Sequence, residues 1–367
     1  MTAPGNSGSG RDFGLDLIRA LAILGIVLGH CMAATGCAWT ARYNLVFGSA
    51  AIFFMTSGAL IFPIRPDTRG FLRRRLGSYM AQFAVISVAY ALMQAYLVPG
   101  YNLGESLRNI LVRPTWDAGW FMYALTGLYL FAPVLSPWLT HASRRGVEYF
   151  LLLWLLAGLT PFVTTQVPGF NAADSFLAPF FGYTGFMVAG YYLRRWPLLG
   201  PARPQPAPAA ACAPHAPQAP PQARCAHDGP QEQAGPQEQA GQARRRVLWL
   251  AFVAMVIGVG VRLFMTAEKW DFTAVMTADL SFNVMAADIL LFVLLSAVTR
   301  APRVVTAAVS WLSRHSLSIY LLHSMAIMLM PTAVAARGPA LLFAATLAAT
   351  LAATALFAAA KALLCRR

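Results

Sequence analysis

Long apolar runs, separated by short basic or polar stretches, dominate the chain. A helix that crosses a lipid bilayer needs roughly 20 apolar residues, and ten runs have about this length. The pattern therefore predicts an all-α fold, that of a polytopic membrane protein with about ten transmembrane helices. The predicted spans are residues 15–35, 43–62, 79–98, 119–138, 147–165, 176–193, 247–265, 280–299, 309–330 and 339–363.

The composition excludes several classes of protein. Hydrophobic residues make up 58% of the 367 residues and charged residues only 11%, whereas a soluble domain usually carries about 25% charged residues. Together with a mean hydropathy of +0.56, these values exclude a soluble enzyme, a disordered protein and a disulfide scaffold. The five cysteines show no metal-ligand spacing, so we expect no metal site.

Basic residues predict how the spans are oriented. Of the 28 Lys and Arg residues, 22 lie in segments on one side of the predicted spans and five on the other, with Arg262 inside a span. Because basic segments stay in the cytoplasm, we predict that both termini are cytoplasmic. The net charge of +14 then reflects orientation in the membrane lipid bilayer, and we expect no nucleic acid as a partner.

Residues 197–246 differ in composition from the rest of the chain. They are rich in Pro, Ala and Gln and contain the repeat Gly-Pro-Gln-Glu-Gln-Ala twice in succession. A stretch with so few apolar residues cannot offset its ordering entropy, so we predict a disordered cytoplasmic linker. The chain thereby divides into an N-terminal tail (1–11), transmembrane helices 1–6 (12–196), this linker (197–246) and transmembrane helices 7–10 (247–367).

The first predicted span carries ionisable residues, which are costly to bury and usually serve function. Arg19 and His30 are 11 residues apart, so that both lie on one helix face, roughly 16 Å apart along the axis. Asp16 lies one turn before Arg19 on the same face. Two structural roles remain open: Arg19 as an anchor that reaches the membrane interface, and His30 as a partner in an interhelical hydrogen bond.

Five motifs follow one another along the predicted spans. They are Asp16-x2-Arg19-x10-His30, Phe-Phe-x-x-Ser-Gly-x-Leu-Ile at 53–61, Arg73-Arg74-Arg75, Trp-aromatic-x-Tyr at 120–123 and Ser-x-x-Ile-Tyr-x-x-His at 316–323. In this order they resemble the motifs of the membrane-bound acyltransferase 3 family, which O-acylates carbohydrates and other acceptors. Many relatives carry a His just before the Trp; here Ala118 and Gly119 stand there, and Asp117 could replace that polar contact.

The resemblance implies an acyl-CoA donor, acetyl-CoA or another acyl-CoA from the cytoplasm, and no permanently bound cofactor. His30 is the candidate base that takes the acceptor proton, because an imidazole titrates near neutral pH. Arg19 and Asp16 complete the candidate catalytic residues. The candidate donor-binding residues are Arg19, Arg73, Arg74 and Arg75, and the candidate acceptor-binding residues are Trp116, Trp120, Tyr320 and His323.

Several of these residues also fit structural roles. The arginines at 73–75 could orient the chain and contact lipid headgroups. Trp116 and Trp120 could belong to an aromatic belt at the membrane surface, and His323 could bridge two helices.

The sequence favours an integral-membrane O-acyltransferase, most simply an O-acetyltransferase. Its expected acceptor is a hydroxyl of a cell-surface polysaccharide or of a lipid-linked glycan, and its expected location is the bacterial cytoplasmic (inner) membrane, as a multi-pass protein. The alternative is a transporter that exports such a glycan or another solute, since ten spans with buried polar groups would suit that function too. The stripe of Asp16, Arg19 and His30 beside a basic cluster favours the enzyme.

Two cysteines test the predicted orientation. Cys212 and Cys225 lie in the predicted linker, so a membrane-impermeant maleimide should label neither of them in intact cells and both after the membrane is permeabilised. A cysteine introduced by Arg337→Cys, in a segment predicted to face outward, serves as the positive control. Labelling of Cys212 or Cys225 in intact cells would contradict the orientation.

Overall fold

The computed structural model describes residues 12–37, 50–64, 67–166, 175–198 and 280–364. Within these ranges the chain is helical and contains no strand. Two 3₁₀ turns, Asp117–Gly119 and Ala178–Phe180, precede two of the helices. The helices are α1 (Phe13–Ala34), α2 (Ala51–Ile61), α3 (Thr68–Leu97), α4 (Leu103–Asn109), α5 (Trp120–His141), α6 (Arg144–Ala157), α7 (Thr160–Gln166), α8 (Thr184–Arg195), α9 (Phe282–Ser296), α10 (Arg303–Leu329), α11 (Thr332–Ala335) and α12 (Pro339–Leu364).

The helices confirm an all-α protein with membrane-spanning segments. Four segments of the described ranges are long and apolar enough to cross a bilayer, and they match the first, third, fourth and tenth predicted spans. Helices α2 and α9 are apolar but shorter, and α10 covers the ninth predicted span. The total of ten spans therefore stays a prediction. The four segments are Phe13–Ala34, Thr68–Leu97, Asp117–His141 and Pro339–Ala359.

Two predicted boundaries differ from the structure. The fifth span, predicted at 147–165, is interrupted at Gly158, whose carbonyl accepts a hydrogen bond from the N–H of Phe282 (3.0 Å) in α9. The sixth, predicted at 176–193, is α-helical only from Thr184. Gly182 precedes that helix at φ +148°, a conformation that ends or delays a helix and that the apolar pattern does not reveal.

Other parts of the sequence analysis fall outside the described residues. These are the N-terminal tail at 1–11, the start of the second span, the seventh span at 247–265 and all but the first two residues of the linker at 197–246.

The two ends of the helical bundle are named here after residues of helix α1. We call them the Asp12 end, where α1 begins, and the His30 end, where it finishes. Helix α10 runs parallel to α1, because Ser313 bonds to Asp16 while His323 faces His30 further along both helices. Helix α9 runs antiparallel to α1 and brings its last residues against Gly14.

Helices α2 and α8 form a close parallel pair, since Phe54 packs on Tyr183 (5.0 Å) at one end and Phe62 on Tyr191 (6.0 Å) at the other. A Cβ atom on Gly58 would lie 1.9 Å from the carbonyl oxygen of Met187, and one on Gly190 would lie 1.9 Å from that of Met55. Each glycine therefore lets the backbone of the other helix approach more closely than any side chain would permit.

The charged contacts among the described residues gather at the Asp12 end. Arg194, at the end of α8, pairs with Asp12 (3.3 Å). Arg144, at the start of α6, pairs with Glu148 (2.8 Å). Because these ends carry cations, this side corresponds to the one that the sequence analysis assigned to the cytoplasm.

The close approach of α2 and α8 predicts a strong effect of one methyl group. Gly58→Ala should destabilise the protein by about 1–3 kcal/mol, since the added Cβ meets rigid backbone and must push the two helices apart. Thermal unfolding in detergent would measure the loss. Gly127→Ala is the matched control: Gly127 is in α5, nothing lies within 4 Å of its Cβ position, and its replacement should leave stability equal or higher. An equal response of both variants would refute the close-packing argument.

Candidate functional site

Two histidines face each other at the His30 end. The rings of His30, in the last turns of α1, and His323, in α10, have centroids 5.0 Å apart and planes tilted by 50°. The two residues are far apart in the sequence, which named both as candidates without indicating that they meet. Their contact is a consequence of the parallel packing of α1 and α10.

The two imidazoles differ in how their nitrogens are used. His323 is fully buried, and its Nδ1 lies 2.6 Å from the carbonyl oxygen of Tyr320. A carbonyl only accepts, so this nitrogen carries a hydrogen, while Nε2 pairs with the hydroxyl of Ser324 (3.2 Å). His30 is half-buried and forms no hydrogen bond with any residue of the described ranges. Its nitrogens are therefore the ones that can meet a ligand.

A carboxylate contributes to the electrostatic environment of His30. Asp117 is exposed at the start of the 3₁₀ turn Asp117–Gly119, and its charge acts on the imidazole of His30. A nearby carboxylate stabilises the protonated form of a histidine. The sequence analysis had considered Asp117 only as a replacement for a missing polar contact. The sequence signal for Asp117 was its position three residues before Trp120, where the Trp motif begins.

Tyr320 holds the turn that carries Asp117. The Tyr320 hydroxyl donates to the carbonyl of Ala118 (2.6 Å), and its ring packs on Phe121 with centroids 4.8 Å apart. Tyr320 is almost fully buried. Its hydroxyl therefore serves to join α10 to the start of α5 next to His30.

The two predicted acceptor-binding tryptophans have different surroundings. Trp116 is buried and stacks on Tyr90, with centroids 4.4 Å apart and planes 8° from parallel. One face of its ring is thus covered. Trp120 is half-buried and stacks on Tyr183 at 5.4 Å. Of the two, Trp120 keeps more surface for contact with a ligand.

Asp16 and Arg19 lie far from the histidines. The buried carboxyl group of Asp16 accepts hydrogen bonds from Ser313 (2.7 Å) and Ser310 (3.3 Å), both in α10. The helix rise separates Asp16 from His30 by about 21 Å. Asp16 therefore joins α1 to α10, and half-buried Arg19 is one turn further along α1. Neither residue can touch an atom that reacts at His30.

Arg73, Arg74 and Arg75 lie near the start of α3, at the Asp12 end. The segment before α3 is held at this end because the N–H of Ile64 donates to Ser136 (2.8 Å), near the end of α5. All three are exposed. Arg74 pairs loosely with Asp67 (3.6 Å). Arg73 and Arg75 form no ion pair with another residue in the part of the chain that the structure describes. These guanidinium groups are available to an anion.

These features define a helical integral-membrane protein with an imidazole–carboxylate site at one end and a basic surface at the other. The family model described as an acyltransferase domain matches residues 12–359, nearly the whole chain. The chain belongs to the acyltransferase 3 family, as its motifs had indicated, and this membership favours an acyltransferase over a transporter. No curated protein and no solved structure is significantly similar to it.

Proposed function

We propose that this acyltransferase moves an acyl group, acetyl in the simplest case, from cytoplasmic acyl-CoA to a hydroxyl of a cell-surface polysaccharide or lipid-linked glycan. The observation that carries the proposal is the half-buried imidazole of His30, whose nitrogens bond to no described residue and on which the charge of Asp117 acts. Such a pair can remove a proton from a hydroxyl at neutral pH.

His30 rather than His323 is the base in this proposal, because both nitrogens of His323 already have partners. His30 takes the proton of the acceptor hydroxyl as its oxygen attacks the thioester carbonyl, so that a C–O bond forms. The tetrahedral intermediate then collapses and the C–S bond breaks. The leaving thiolate takes the proton from the His30 imidazolium, which restores the base. Asp117 stabilises the imidazolium between these steps.

Acyl-CoA would bind from the Asp12 end. Its phosphates suit guanidinium groups, which Arg73, Arg74 and Arg75 present in exposed positions. Arg19 lies between them and the interior, about 16 Å from His30 along α1. The thioester end of the donor must extend over this distance to meet the acceptor. In this arrangement Arg19 guides the donor, and Asp16 keeps α1 and α10 in register.

The proposal includes ten spans, cytoplasmic termini and a place in the bacterial inner membrane. Helix α8 ends at the Asp12 end, where Arg194 pairs with Asp12. Helix α9 begins at the His30 end, since Phe282 bonds to Gly158 near the turn that precedes α8. Ten spans require one crossing between these two points, which is where the span at 247–265 is predicted.

Replacing the base tests the chemistry directly. His30→Ala should lower kcat for acyl transfer by about 10²–10⁴-fold, because both nitrogens of His323, the other described imidazole at this end, already have partners. Asp117→Asn should cost only a few-fold, since an exposed carboxylate contributes at most about 1 kcal/mol to an ion pair. Transfer of radiolabelled acetyl from acetyl-CoA, with the purified protein in nanodiscs, would measure both.

His141→Ala is the matched control for the base, because His141 is exposed at the opposite end of α5, where its ring bonds to the carbonyl of Pro137 one turn earlier. It should retain full activity. Near-normal transfer by His30→Ala would show that another group is the base.

The basic cluster should govern donor binding. Replacing Arg73, Arg74 and Arg75 together by Gln should raise KM for acyl-CoA about tenfold or more and change kcat little, since the phosphates contact the protein equally in the ground and transition states. Steady-state kinetics at varied acetyl-CoA would show the difference. Arg145→Gln, at an exposed arginine of the same end, should leave KM unchanged. A triple variant with normal KM would remove these residues from the donor site.

A further inference from the structure

A cavity opens at the His30 end, apart from His30 and His323. It has a volume of about 290 Å³ and lies between the end of α3, helix α4 and the segment that leads to Asp117. Pro114 and Thr115 form part of its wall. Its polar lining includes Gln94, Tyr101, Asn102, Glu105, Asn109 and Arg113.

The wall of this cavity is held by hydrogen bonds. Gln94 donates through Nε2 to the carbonyl of Thr115 (2.7 Å), and the hydroxyl of Thr115 donates to the carbonyl of Ser87 (3.3 Å). The Tyr101 hydroxyl donates to Ser106 (2.6 Å). Helices α3 and α4 and the segment before Asp117 are thus linked around one space, so the cavity belongs to the folded structure.

Other polar groups of the lining stay available. The side-chain amide of Asn109 and the guanidinium of Arg113 form no hydrogen bond with any other described residue, and Gln94 uses only its Nε2. The amide of Asn109 both donates and accepts, Arg113 donates, and the carboxylate of Glu105 accepts. This mixture suits a ligand with several hydroxyl groups, each of which donates one hydrogen bond and accepts others.

Charge and size narrow the class of ligand further. Arg113 and Glu105 bring one charge of each sign, so the cavity has no net preference for an anion such as a phosphate. Its volume is near the lower limit of small-molecule sites, which is about 300 Å³. Both properties fit one neutral, hydroxyl-rich ring rather than a nucleotide or a longer chain.

The cavity and the imidazole site are joined by a short stretch of chain. Thr115 lines it, Trp116 follows in an extended conformation, and Asp117 then acts on His30. Two extended residues span about 7 Å, a separation comparable to the repeat of a glycan chain. A ring in the cavity and a hydroxyl at His30 could therefore belong to neighbouring units of one molecule.

We propose that this cavity is an acceptor subsite that binds the neutral sugar ring adjacent to the ring that is acylated. The proposal rests on the proposed acyl transfer to a glycan. It assigns Asn109 and Arg113 to recognition of the acceptor, apart from the chemistry at His30. It also predicts that the enzyme prefers acceptors of two or more sugar units.

The test compares acceptors of different length. The probes are one-sugar and two-sugar fragments, prepared by graded hydrolysis of the surface glycan from cells of the source organism that lack this gene. With the full-length protein in nanodiscs and acetyl-CoA as donor, the two-sugar fragments should show about tenfold higher kcat/KM, the worth of one or two good hydrogen bonds. In the Asn109→Ala/Arg113→Gln variant this advantage should disappear, while kcat/KM for one-sugar fragments stays unchanged.

Two further single variants provide a second test of the cavity and a control. Glu105→Gln should also reduce the two-sugar advantage. Arg108→Gln, which removes an exposed charge of α4 that does not line the cavity, should preserve it. Gel filtration and thermal unfolding verify that each variant is folded.

The outcomes separate this inference from the function on which it rests. Transfer with the same two-sugar advantage in the double variant would overturn the subsite alone. If the double variant keeps the two-sugar advantage but co-purifies with less phospholipid than the wild-type protein, the cavity is a lipid headgroup site instead. If no fragment is acetylated and acetyl-CoA is not consumed by the wild-type protein, the proposed function fails, and the subsite with it.

Discussion

The parallel packing of α1 against α10 is the contact on which the other features depend. In a bilayer no water can satisfy a buried polar group, so the Asp16 carboxyl group requires the hydroxyls of Ser310 and Ser313. These bonds set the register of the two helices at one end. The same register brings His30 against His323 at the other end. A shift of α10 by one turn would break both relationships.

Polar chemistry is divided between the two ends of the bundle. The Arg194–Asp12 and Arg144–Glu148 ion pairs lie at the Asp12 end, while the His30–His323 pair, the exposed carboxylate of Asp117 and a polar cavity lie at the His30 end. Apolar helices that cost little to insert separate them. In the proposed reaction, a charged donor and a hydroxyl-rich acceptor approach from these opposite ends, and only the reacting groups meet between the helices.

The supporting residues near His30 act through the elements that they join. Tyr320 fixes the turn before α5 and thereby the backbone next to Asp117. The Nε2 atom of His323 pairs with Ser324 within α10, so His323 does not take up a nitrogen of the neighbouring His30. Trp116 packs on Tyr90 and anchors the segment that separates the cavity from the imidazole site. Each residue uses its polar group or ring face in the fold, which limits what it can offer to a ligand.

The sequence by itself determined the all-α membrane fold, the family and the candidacy of His30, because apolar run length and local motifs are properties of neighbouring residues. It could not place the interruption at Gly158, which depends on a hydrogen bond from α9. It assigned Asp16 to catalysis, since ionisable residues inside a span usually mark function, and Tyr320 to the acceptor because of the motif that it shares with His323. Only the tertiary structure decided that their partners are Ser313 and Ala118. The same is true of the contact between His30 and His323: contacts between residues distant in sequence arise from helix packing, which no local pattern encodes.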